Sequence, residues 1–301
     1  MLDAILAKHF PVEHHFLARE SLTGKTLNYH YVNEGQGEPV VMVHGNPSWS
    51  FYYRNVVKSL SKTHQCIVPD HIGCGLSDKP DDTDYDYTLK SRIDDLEDLL
   101  EHLGVRDNIT LIVHDWGGMI GLGYAARHPK RIKKIVILNT AAFHLPETKA
   151  FPWPLWICRN TFLGTFLVRG FNAFSSIASY VGVKRNAMPN DIRKAFVAPF
   201  DTWKNRISTL RFVQDIPLKP TDRNYDLVSE ISDKLEHFKE TPTLICWGLK
   251  DFVFDKHFLA QWQQKLPQAT VHKFSDCGHY ILEDARDEVV SLITDFVLEN
   301  G

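Results

Sequence analysis

The sequence has no block of lysine and arginine, and its net charge of −3 with a pI near 6.6 gives no overall basic field. A polyanion would find little to hold, so nucleic acid is excluded as an expected partner. Cysteine is scarce and unpatterned. Cys66, Cys74, Cys158, Cys246 and Cys277 are odd in number and form no C-x-x-C pair, which excludes a disulfide framework or a zinc cluster and reads as reduced thiols. Long apolar runs are absent too: in the most aromatic stretch only nine residues separate Arg159 from Arg169, against about 20 needed to cross a bilayer. The start, "MLDAILAKHFPVEHHF", lacks the basic and then apolar segments of an export signal, so a cytoplasmic location is the expectation. No glycine-rich dinucleotide fingerprint follows a strand, and no His/Cys/carboxylate cluster has ligand spacing. His14 and His15 come nearest, but neighbours in a strand face opposite sides. Neither a metal nor an organic cofactor is expected.

What is present is an ordinary globular composition, 44% hydrophobic and 24% charged over 301 residues. Strand-like and helix-like segments alternate, which predicts a mostly parallel sheet flanked by helices. "KTLNYHYVNE" alternates as a half-exposed strand near the sheet edge would. "PVVMVHG", "QCIVPD", "NITLIVHD" and "RIKKIVILN" read as buried strands, with "SRIDDLEDLLEHLG" a helix among them. The alternation stops at about residue 140, where "FPWPLWICRNTFLGTFLVRGFNAF" crowds aromatics together, and resumes with "TPTLICWG", "ATVHKF" and a closing helix. Residues 1–140 and 227–301 are therefore read as one core and 141–226 as a helical cap inserted after the sixth strand.

The chemistry centres on "VHDWGG", residues 113–118, where a β-branched run meets a glycine pair and a helix. A strand turning sharply into a helix is how an α/β-hydrolase displays its nucleophile, usually serine; here Asp115 stands in that place. A carboxylate nucleophile needs a base, and the base an orienting acid. His279 in "SDCGHYILEDA" and Asp251 in "CWGLKDFVFD" follow later strands, in the chain order nucleophile, acid, histidine. Asp255 competes with Asp251 for the acid's place. In "VHGNPSW" an H-G turn after an early strand offers the Asn46 N–H, which pairs with the N–H of Trp116 as an anion-stabilising hole. Both residues also carry side-chain donors.

Taken together, "HGNPSWSFYYRN", "DHIGCGLSDKP", "VHDWGG", "WGLKDFVF" and "GHYILED" resemble the haloalkane dehalogenase family of α/β-hydrolases over nearly the whole chain. The resemblance implies Asp115 as nucleophile, His279 as base, Asp251 as orienting acid, and Asn46 with Trp116 as the pair that binds the leaving anion. Members that take their acid after the sixth strand carry a carboxylate there; "LNTAAFHLP" has none. The cap, with "RISTLRFVQDIPL", is similar to the β-lactone decarboxylases of bacterial long-chain olefin biosynthesis, a group that shares these residues and releases carbon dioxide and an alkene from cis-3,4-dialkyl-oxetan-2-ones. That likeness implies a small apolar, long-chain substrate, and leaves open an association with other olefin-biosynthesis enzymes or a membrane surface. Phe151, Trp153, Trp156, Phe162, Phe166 and Phe174 are the candidate lining of an alkyl pocket. The alternatives are haloalkane hydrolysis on the same residues and, more distantly, epoxide hydrolysis, for which Tyr180 and Tyr225 are the available cap tyrosines, or a non-catalytic binding protein.

Overall fold

The structure is a computed structural model that describes residues 2–299. Eight strands form one sheet: β1 (His14–Glu20), β2 (Thr26–Glu34), β3 (Pro39–Val43), β4 (Gln65–Pro69), β5 (Ile109–Asp115), β6 (Ile132–Thr140), β7 (Thr243–Gly248) and β8 (Thr270–Phe274). Their order is β1-β2-β4-β3-β5-β6-β7-β8. β2 pairs antiparallel with both β1 and β4, and every pair from β4 onward is parallel. The expected α/β-hydrolase architecture is present. β2 lies next to the edge, as its pattern predicts, and "HHFLARE" adds β1 outside it, a strand the sequence pattern does not reveal. β1 has no fully buried residue, and its partly buried positions alternate with exposed ones from Phe16 onward. This weak pattern hides an edge strand.

Helices cover both faces. The chain carries α1 (Leu2–His9), α2 (Arg54–Leu60), α3 (Leu89–His102) and α4 (Trp116–Arg127) before β6; α5 (Trp153–Asn160), α6 (Phe162–Thr165), α7 (Ala173–Val181), α8 (Asn190–Val197), α9 (Ile207–Gln214) and α10 (Tyr225–Lys234) between β6 and β7; then α11 (Lys256–Lys265), α12 (Ile281–Asp284) and α13 (Arg286–Leu298). The central strands β3 to β7 are apolar on both sides, as a sheet sandwiched between helices requires. Val41 and Val43 join Leu96, Ile120, Ile137 and Trp262 on one face, while Val40 and Met42 join Val56, Ile112, Val136 and Ile293 on the other. Among the described residues no helix is long and apolar enough to cross a membrane.

Chain order changes direction beside β3. The chain goes from β3 to β4 on one side and returns to β5 on the other, so the loops leaving β3 and β5 diverge and open a crevice at their carboxyl ends. α5, α7 and α9 lie over this crevice, and Asn46, after β3, donates its side-chain amide to the Thr209 carbonyl of α9 at 3.1 Å. α10 packs back against α4 of the core.

Candidate active site

β5 ends in a strained residue. Asp115 has φ +52° and ψ −125°, a region L-residues rarely enter and one that marks functional turns. The ladder with β6 shifts register between His114 and Asp115. The following glycines permit the turn: a Cβ on Gly117 would collide with the Val43 carbonyl at the end of β3. Gly45 has the same function from the opposite side, since a Cβ there would strike the Asp115 carboxylate. The loop after β3 is fixed by neutral histidines. Burial lowers the pKa of His44, whose Nδ1–H donates to the Gly45 carbonyl at 2.8 Å while Nε2 accepts the His71 backbone N–H at 3.1 Å.

With both loops so placed, the Asn46 backbone N–H donates to Oδ1 of Asp115 at 2.5 Å. Asn46 departs in one respect from what its sequence position suggests. One amide hydrogen is engaged by Thr209, which leaves the second for a ligand, and its Oδ1 is buried without a partner. Trp116 lines the cavity above Asp115 and packs against Phe212 at 5.3 Å between ring centroids.

His279, after β8, approaches from the far side. Its Nε2 lies 3.8 Å from Oδ2 of Asp115 and its Nδ1–H donates to Oδ2 of Asp251 at 2.8 Å. Asp251 also accepts the Val253 backbone N–H at 2.8 Å and the Asn139 amide at 3.1 Å. Asp255 is engaged elsewhere, accepting the His257 N–H at the start of α11 and pairing with Lys149 at 2.7 Å. Of the two candidate acids, Asp251 is the one bonded to His279. Burial is the largest influence on Asp115 and pushes its carboxyl up to about 6, against the opposing charge of His279. Burial works to lower the pKa of His279, but the Asp251 charge and hydrogen bond outweigh it, so the imidazole is held above its ordinary value.

Two contributors were not anticipated. Asn139, with φ +29° near the end of β6, donates to Asp251 and to the Gly248 carbonyl and accepts the Gly248 N–H at 2.8 Å. It stands where a carboxylate was sought and not found, and its role as a clamp carries no separate sequence signal. His114, kept neutral by burial, donates Nε2–H to the His279 carbonyl at 2.9 Å and packs beneath that ring. Its position directly before Asp115 was the available clue.

The crevice is a cavity of about 640 Å³, lined almost entirely by apolar side chains and reached by Asp115, Asn46, Trp116 and His279. Phe151, Trp153 and Phe174 line it; Trp156, Phe162 and Phe166 do not. The correction follows from helix phase. α5 turns Trp153, Leu155, Ile157 and Cys158 to the cavity and leaves Trp156 on its outer face. Phe162 opens a one-turn helix and is 95% exposed, and Phe166 packs edge-on against Phe171 at the surface. Phe252 and Phe254, beside Asp251 in the same loop, line the cavity instead.

The sequence pattern of the alpha/beta hydrolase fold family matches residues 38–285. A cis-3-alkyl-4-alkyloxetan-2-one decarboxylase of Shewanella oneidensis is 71% identical over 299 residues, covering 99% of this chain and 91% of that one. A protein of the same name from Xanthomonas campestris pv. campestris is 53% identical over 277 residues, covering 90% and 92%. The crystal structure of the haloalkane dehalogenase DatA of Agrobacterium tumefaciens superimposes with a TM-score of 0.82 at 20% identity, over 94% of this chain and 96% of that one, a likeness of fold.

Two outcomes are expected of this geometry. Asn139→Ala removes a hydrogen bond to a buried charge, worth about 1.5–3 kcal/mol. It should lower kcat/KM by roughly 10- to 100-fold while the protein stays folded by circular dichroism; unchanged kinetics would remove the clamp from the site. If Asp115 acts as the carboxylate, its pKa, raised to about 6 by burial, requires turnover to be full above that pH and to fall as pH drops through it. A rate that is flat down to the ordinary aspartate range, near ~4, would contradict the assigned environment.

Proposed function

The chain belongs to the alpha/beta hydrolase fold family, and from that footing we propose that it is an aspartate-nucleophile enzyme acting as a cis-3-alkyl-4-alkyloxetan-2-one decarboxylase. The observation that carries the reading is a carboxylate held at a strained elbow against a large cavity that is apolar nearly throughout. Its support is the 71% and 53% identity to proteins of that name over almost their whole length.

In this reading a carboxylate oxygen of Asp115 attacks ring carbon C4 of the lactone. The C4–O bond breaks with its electron pair on oxygen, leaving a free carboxylate on C3. The backbone N–H groups of Asn46 and Trp116 are held by Asp115, so their side-chain N–H groups hold that anion. The C3–carboxyl bond then breaks. Its pair forms the C3=C4 double bond, and the C4–Asp115 ester bond breaks with its pair returning to the aspartate. Attack inverts C4, and departure of CO2 and aspartate from opposite faces then delivers a cis alkene from a cis lactone. Atoms and charge balance with no water, proton or electron drawn from outside. His279, held by Asp251, contributes positive charge beside Asp115, which favours the aspartate as nucleophile in the first step and as leaving group in the second. Attack at the carbonyl would instead leave an alkoxide on C4, a poor leaving group, and would lead to a β-hydroxy acid.

The rival reading is haloalkane hydrolysis, in which the same aspartate displaces halide and His279 draws a proton from water to cleave the ester. Epoxide hydrolysis has less support, because neither cap tyrosine lines the cavity: Tyr225 stacks on His144 at 4.0 Å and Tyr180 is exposed beneath Arg193.

The experiment gives the purified enzyme cis-3,4-dialkyl-β-lactones of graded chain length and, separately, a panel of brominated alkanes. Cis alkene from the lactones is expected by gas chromatography, with kcat/KM falling roughly tenfold for every two methylenes removed, at about 0.8 kcal/mol each. Rapid bromide release without alkene would promote the dehalogenase reading, and β-hydroxy acid as product would sink the attack at C4.

A further inference from the structure

The cap exposes apolar surface on a scale that its own packing does not explain. Of the fourteen exposed large hydrophobic side chains among the described residues, nine lie between Trp153 and Trp203. They lie on elements that pack side by side, α5 on α6, and α6 and α7 on the turn at 166–170. Trp153 and Trp156 are one turn apart on α5; Phe162 and Leu163 begin α6; Phe166 meets Phe171 at 5.2 Å, and Gly170 sits against both Phe166 and Trp203. The face continues into the cavity, because Trp153, Ile177 and Phe252 are at once exposed and part of the cavity lining. An apolar patch of this extent on a water-facing surface marks a contact site.

Charge identifies the contact. Residues 141–226 carry 12 Lys and Arg against 6 Asp and Glu, a net +6, while the remainder carries 22 against 31, a net −9. Five of the twelve are paired, but among the described residues Arg169, Lys184, Arg193, Lys194, Lys204, Arg206 and Lys219 have no salt-bridge partner. Four of them flank the aromatics. Arg169 lies 4.8 Å over the Trp203 ring, Arg193 lies 3.9 Å over Tyr180, Lys204 follows Trp203, and Arg206 holds the Arg169 carbonyl at 2.6 Å and the Gly170 carbonyl at 2.9 Å. The local counter-charges are Asp82, which pairs with Arg211, and Asp201.

Tryptophan and phenylalanine ringed by unpaired cations, on a protein otherwise acidic, match the apolar interior and anionic headgroups of a lipid surface. We propose that this face of α5, α6 and α7 docks on an anionic lipid bilayer and turns the mouth of the cavity toward it. An apolar substrate and product would then pass between the bilayer and the cavity without crossing water. The inference draws on the lactone reading only for what passes, and vesicle binding is read without turnover, so each can fail alone.

The test is flotation of the purified full-length protein with vesicles of phosphatidylcholine alone and of phosphatidylcholine with phosphatidylglycerol, at low and high salt. Binding to the anionic vesicles is expected to exceed binding to the neutral ones by on the order of tenfold and to fall at high salt. Phe162 and Phe171, 95% and 67% exposed, lie outside the cavity lining. The double variant F162E/F171E should lose flotation while keeping its unfolding temperature and its turnover of a short-chain, water-dispersed substrate. Failure of the wild type to float on anionic vesicles would overturn the proposal, as would a variant that floats undiminished. A wild type that is dimeric by light scattering, with a monomeric double variant and no vesicle binding by either, would assign the face to a second copy of the chain instead.

Discussion

The whole candidate site depends on one close approach: the loop leaving β3 pressed against the turn leaving β5. The strands are parallel neighbours with Val43 beside Val113, so their ends emerge together, and glycines at 45 and 117 let backbone meet backbone and carboxylate. That contact places the Asn46 N–H on Asp115 and holds the aspartate at a positive φ that it would not adopt alone. Larger side chains at either glycine would separate the loops and remove the donor from the carboxylate. The strain is sustained by the most buried part of the sheet, where β5 has every residue buried.

The second half of the site is assembled from greater distance in sequence. His279 and Asp251 come from the loops after β8 and β7, and both are drawn to Asp115 by groups within the core. Asn139 ties Asp251 to the end of β6, and His114 ties the His279 backbone to β5. The 3.8 Å between His279 and Asp115 is too long for a direct hydrogen bond, so the two groups meet electrostatically, each shifting the other's pKa. Burial raises the aspartate's pKa while the histidine's charge lowers it. The carboxylate thus stays ionised at neutral pH yet is poorly solvated, a state that favours nucleophilic attack.

Much of this was legible in the sequence because it rests on short-range rules. "NITLIVHDWGG" declares a buried strand, a turn and a helix, and so singles out Asp115; "CWGLKD" and "DCGHY" each place a polar residue just past an apolar run. Asn139 was not legible, since an asparagine at a strand end looks like any turn residue until its partner 112 positions away is known. The cap was the hardest part. Its helices are four to nine residues long, interrupted by a π-turn at Phe166–Gly170, and over such lengths aromatic content does not reveal which side faces inward. Aromatic content alone therefore points Trp156, Phe162 and Phe166 at the cavity, and they lie outside it. β1 was missed for a related reason: an edge strand with one face in solvent carries little apolar signal.

The most direct measurement of the central claim is alkene formation from a cis-dialkyl-β-lactone by Asp115→Asn, with intact-protein mass spectrometry to exclude reversion by deamidation. The amide preserves the shape of the side chain and the fold while removing the nucleophilic oxygen charge. The account expects activity at least about a thousandfold below wild type, because the chemical step has no alternative nucleophile at the elbow. Retention of more than a few per cent of wild-type activity by a variant whose mass confirms asparagine would contradict it.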